Sequence, residues 1–104
     1  MRFLLTTVSF TLLALSSAQK GGMMCSFCMT IVANTQDAYG PAIVNTTDLE
    51  LLRYFRKECP RYAVKSTMLA GECEYLVSEH PLVFFRDLRH GKSPLDTCTD
   101  CESC

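Results

Sequence analysis

Seven cysteines in 104 residues restrict this chain more than any other feature. They stand at Cys25, Cys28, Cys59, Cys73, Cys98, Cys101 and Cys104. A chain of this size buries a smaller share of its surface than a larger domain and is marginal without cross-links. In an exported chain such cysteine density reads as a disulfide framework, with one thiol left over. Two other chemistries share part of the pattern. Paired C-x2-C motifs can hold zinc through four thiolates, and Cys25-Ser26-Phe27-Cys28 has the form of a redox pair. An oxidising compartment argues against the zinc site, and no βαβ pattern surrounds the redox motif. No cofactor is expected.

The case for export lies in the first residues. Arg2 is followed by a mostly apolar run from Phe3 to Leu15, then by Ser16-Ser17-Ala18, small residues of the kind a signal peptidase reads. The sequence therefore predicts a signal peptide over 1–18, cleaved after Ala18, and one domain over 19–104. The run is shorter than the ~20 residues of a spanning helix. Without Arg2, nine basic residues face eleven acidic ones, a net charge of −2 with both histidines neutral. That balance lacks the basic excess of a nucleic-acid binder.

Apolar residues recur at helical spacing along the domain. A first helix is expected over Met24–Tyr39, with Cys25, Cys28 and Val32 on one line and Met24, Phe27, Ile31 and Ala38 beside it, ended by Gly40-Pro41. Residues 40–46 read as a loop. Thr47-Asp48-Leu49-Glu50 has the form of a capping box opening a second helix over Asp48–Cys59, with Leu49, Leu52, Phe55 and Cys59 inward; Pro60 should end or kink it. A third helix is expected over Lys65–Glu79, with Met68, Leu69, Cys73, Leu76 and Val77 inward. A fourth fits Pro81–Arg89, with Leu82, Phe85 and Leu88 on one stripe and a His90-Gly91 ending. Ser93-Pro94 opens a last short turn. No stretch alternates as a half-buried strand does, so the fold class is all-α, four helices plus a terminal turn.

Together these residues resemble the saposin-like family, in particular its short nematode, caenopore-type members. The matching features are Cys25-Ser26-Phe27-Cys28 opening the first helix, Cys59 and Cys73 with thirteen residues between them, and Cys98 and Cys104 with five between them. His80-Pro81-Leu82-Val83 is similar to the family's proline bend, and Ser93-Pro94-Leu95-Asp96-Thr97-Cys98 to its entry to the penultimate cysteine. The resemblance spans nearly the whole domain and implies a bundle of four to five amphipathic helices. It also implies three disulfides, Cys25–Cys104, Cys28–Cys98 and Cys59–Cys73. Spacing alone leaves many other pairings open. Cys101 departs from the family pattern, which has an apolar residue there. It is a buried free thiol, a bridge to a second chain in a homodimer, or a replacement for Cys98 or Cys104 in the pairing.

The resemblance further implies a secreted protein that binds membrane lipid and permeabilises bilayers as an antimicrobial effector; a non-lytic lipid-binding or lipid-transfer role is the alternative. The residues contribute wide apolar helix faces, which fit a closed core as well as they fit lipid. They also contribute a basic stretch of Arg53, Arg56, Lys57, Arg61 and Lys65, which suits anionic phospholipid or serves as an ordinary solvated face. Acidification would charge His80 and His90 and carry the net charge toward positive values, which suits a lysosome-like compartment or an intestinal lumen. Asn45-Thr46-Thr47 is an N-glycosylation sequon. No catalytic constellation is recognisable, so an enzyme is not expected.

Overall fold

The computed structural model describes residues 22–104, so the signal peptide expected over 1–18 lies outside the described residues. Five helices follow one another: α1 over 22–39, α2 Asp48–Tyr62, α3 Thr67–Glu79, α4 Pro81–Arg89 and α5 Pro94–Asp100. The fold is all-α. The stretch read as a loop after α1 is instead a 3-10 helix, Gly40–Asn45. Gly40 takes φ +56°, a left-handed conformation that L side chains rarely adopt, and so the α-helix stops there while the tighter helix continues.

Local chemistry fixes the helix ends. Thr47, Ser66 and Ser93 each accept a hydrogen bond from the backbone N–H three residues on, of Glu50, Leu69 and Asp96 respectively. Each such cap is worth about 1 kcal/mol. At the end of α4, Gly91 takes φ +67°. Its N–H and that of Lys92 bond back to the carbonyls of Leu88 and Asp87, a Schellman closure. Pro60 does not end α2, which runs two residues further to Tyr62. The proline lies on the exposed side with Arg56, whose carbonyl loses its intrahelical donor, so water can replace that bond at modest cost.

Side-chain pairing sets the packing. α1 and α2 run antiparallel: the rings of Tyr39 and Tyr54 lie 5.2 Å apart, and Asn34 Nδ2 donates to the Tyr62 hydroxyl at 3.3 Å. α2 and α3 form a hairpin clipped by Cys59–Cys73. α4 packs on α2, α3 and the 3-10 segment, and α5 packs on α4. Arg89 Nη1 reaches Asp48 Oδ1 at 2.6 Å, joining the end of α4 to the start of α2. Cys25–Cys104 and Cys28–Cys98 tie α1 to the chain end, with sequence separations of 79 and 70. Phe55 sits centrally, its ring 5.1 Å from Phe84 and 6.0 Å from Phe85. Ile31, Val32, Leu51, Leu76 and Leu88 are fully buried around these rings.

The buried arcs differ from the expected stripes in one consistent way. Leu49, Met68 and Leu82, read as inward, are 54%, 49% and 72% exposed. Each is the second residue of its helix, where the end projects beyond its neighbours. In α2 the buried line is instead Leu51, Phe55, Cys59 and Tyr62. Ala38, also read as inward, is exposed near the end of α1.

Candidate functional site

The basic residues lie on the outer side of α2 and the turn after it. Arg53, Arg56, Lys57, Arg61 and Lys65 are all exposed. Arg61 pairs with Glu58 at 3.4 Å, a surface pair that contributes little. Among the described residues no carboxylate stands within ion-pair distance of Arg53, Arg56, Lys57 or Lys65. These four charges are therefore free for an outside partner.

Beside them runs a shallow groove between α1 and α2, made of two contiguous depressions of about 470 and 350 Å³. Both share Tyr54, Glu58 and Arg61; Lys65 and Tyr62 line one end, and Arg53, Lys57 and Tyr39 the other. Burial raises the pKa of Tyr39, Tyr54 and Tyr62, that of Tyr54 to about 12. The three groove tyrosines are thus neutral at physiological pH, and Asp37, Glu50 and Glu58 line the groove beside the cations. The structure brings Arg53, Lys57, Arg61 and Lys65 to the groove, and leaves Arg56 exposed outside it.

Asn45 is exposed at the end of the 3-10 helix. The two hydroxyls of its sequon have structural uses, Thr46 donating to the Ile43 carbonyl at 2.7 Å and Thr47 capping α2. Cys101 is free and fully buried. Burial, followed by the nearby Asp87 and Asp100 charges, pushes its thiol up to about 12, so it persists as an unreactive thiol. A bridge to a second chain through Cys101 would first require the chain end to open. His80 Nε2 lies 3.0 Å from the Tyr75 hydroxyl and 3.5 Å from Glu102, while His90 is exposed.

Two buried carboxylates escaped the sequence reading. Glu72 of α3 is 1% exposed and accepts a 2.6 Å hydrogen bond from Ser103, pinning the chain end onto α3. Asp87 of α4 is fully buried; its Oδ1 accepts from Arg86 at 3.1 and 3.2 Å and stands 3.8 Å from Lys92. Lys92 in turn donates to Asp100 at 2.8 Å. The signal was available in each case, as an acid lodged within an apolar arc, between Leu69, Cys73 and Leu76 or between Phe84 and Leu88.

Burial raises the pKa of both Glu72 and Asp87, opposed by the Ser103 bond in one case and by Arg86 in the other; Asp100 adds to the rise at Asp87. A raised folded value means that the folded state binds its proton more tightly than the unfolded chain. Stability therefore rises as the pH falls from neutrality toward the ordinary Glu value of 4.5. Mild acid tightens the closed bundle through these two groups. Urea midpoints at about pH 7 and pH 5 check this: the wild type gains on acidification, and Glu72→Gln gains less. Equal gains would remove Glu72 from the explanation.

Among the described residues no helix is long and apolar enough to cross a membrane. Comparison with family models, with characterised proteins and with solved structures finds no match for this chain.

Proposed function

We propose that this is a secreted, saposin-like protein that binds membrane lipid and perturbs bilayers, with antimicrobial permeabilisation of the caenopore kind as its particular activity. One observation carries the reading. α2 presents free cations outward while its inner face, Leu51, Phe55, Cys59 and Tyr62, is apolar. The cations would bring the domain to an anionic surface, each contributing about 1 kcal/mol near it.

The cross-links suit what must follow. Two disulfides hold α1 to the chain end and one holds α2 to α3, but none joins these two units. The units would separate about Thr46-Thr47 and the His80-Pro81 bend, so that every helix keeps its own hydrogen bonds. Apolar faces would then exchange the core for acyl chains. Three disulfides also fit an oxidising, extracellular or lumenal compartment. In mild acid the raised pKa values of Glu72 and Asp87 oppose opening.

Dye leakage from anionic vesicles, followed from about pH 4 to about pH 7.5, tests the proposal. Release is expected, and neutralising Arg53, Lys57, Arg61 and Lys65 to Gln should lower it by about tenfold or more. No release at any pH would end the permeabilising reading. The slightly acidic net charge favours a second reading, non-lytic lipid binding or transfer. Lipid that copurifies with the protein, without leakage, would establish that instead.

A further inference from the structure

Among the described residues, the turn joining α2 to α3 combines properties that no other exposed apolar site shares. Val64, at its apex, is 91% exposed, and Met68, the second residue of α3, is 49% exposed. The other exposed apolar side chains lack that setting: Met23 and Val44 have no charged residue within two positions, and the remaining three have an acid close in sequence. Leu49 sits between Asp48 and Glu50, Leu95 beside Asp96, and Leu82 three residues after Glu79. Val64 instead lies beside Lys65 and three residues after Arg61, with Lys57 a turn further back. The apolar tip is flanked in sequence by Arg61 and Lys65.

Its backbone is also prepared for an apolar environment. A peptide N–H that enters the membrane interface without a partner is costly. Here the N–H groups of Ala63, Val64, Lys65 and Ser66 all bond to carbonyls of Pro60, Arg61 and Tyr62, at 3.0 to 3.2 Å. The next free end, the start of α3, is capped by Ser66. Cys59–Cys73 clamps the base of the hairpin, so the tip is presented as a preformed wedge and little order has to be created on contact.

We propose that this turn is the membrane-docking tip of the closed protein, with Val64 and Met68 entering an anionic lipid surface while Arg61 and Lys65 hold its headgroups. The inference rests on the lipid-binding reading above and adds the place and order of first contact. Docking comes before any separation of the helices and does not require it. Lys and Arg stems can lie along the apolar boundary while their charges stay with the phosphates.

The chain contains no tryptophan, which supplies a clean test on the full disulfide-bonded protein. Val64→Trp places a single indole at the tip, and Val44→Trp places one at an exposed site, 62% accessible, on the 3-10 helix. Neither position contributes to the core. With vesicles of phosphatidylglycerol and phosphatidylcholine, the Val64→Trp emission should shift to the blue and that of Val44→Trp should stay unmoved. Val64→Asn should weaken vesicle partitioning by about tenfold, the consequence of losing one apolar anchor. If the wild type sediments with the vesicles, the tip is overturned by an unmoved Val64→Trp emission, by an equal shift at both sites, or by undiminished partitioning of Val64→Asn. The lipid-binding reading survives each of those results. A wild type that does not sediment with the vesicles ends both.

Discussion

Converting Cys25, Cys28, Cys98 and Cys104 together to alanine should cost the domain about 7 kcal/mol, whereas removing either disulfide of that pair alone should cost about 3 kcal/mol. The two bonds are nested, with separations of 79 and 70 residues. While one remains, the other closes only the small ring formed by the three residues before Cys28 and the six after Cys98. Once both are lost, the unfolded chain recovers the entropy of the full loop as well. A loss of that size approaches the whole stability of a typical small domain, about 5 to 15 kcal/mol, so the double removal should leave little folded protein at neutral pH. Denaturant titrations of the two single-bond variants and the double variant measure it. A double variant no less stable than either single one would show that the sulfurs do not hold the chain ends together.

The second large effect belongs to Phe55. Substituting alanine should destabilise the fold by about 4 kcal/mol, through lost burial and the cavity left between the rings of Phe84 and Phe85. Those rings lie on α4, at 5.1 and 6.0 Å from that of Phe55 on α2, so the cavity opens where two helices meet. The same contact must break if the helices part on a membrane. Phe55→Ala should therefore leak vesicles at lower protein concentration than the wild type while melting earlier. Urea unfolding checks the first expectation, and a change below about 1 kcal/mol would mean the site collapses around the smaller side chain.

Much of the fold was legible because its determinants are local. The bounds of α4 agree with the sequence reading to the residue, since Pro81 can only begin a helix and Gly91 readily supplies the left-handed ending. Thr47 and Ser93 announced their caps in the same way. Leu49, Met68 and Leu82 misled for one shared reason. Periodicity reports which residues line one side of a helix, but not how far along the axis a neighbour extends, and all three stand at projecting ends. Pro60 does not stop α2, because on the exposed side one missing hydrogen bond near the last turn does not outweigh burial of Tyr62 just beyond it.

The candidate site was legible only in outline. The cations of α2 and the following turn were visible as a run of residue types, and their exposure follows from the apolar line opposite them. The groove they border was not, because Tyr39 and Asn34 come from another helix.

Sequence by itself decided that this chain makes capped amphipathic helices separated by Gly and Pro, because propensity, capping and turn chemistry act within a few residues. It also decided that cysteines must supplement a small core. Tertiary structure alone decided which side chains meet: that Glu72 reaches Ser103 across 31 positions, that Cys101 is sealed from solvent, and that Val64 stands clear of everything around it. Those outcomes depend on how helices stack, and stacking is settled by the summed fit of many distant residues rather than by any short stretch.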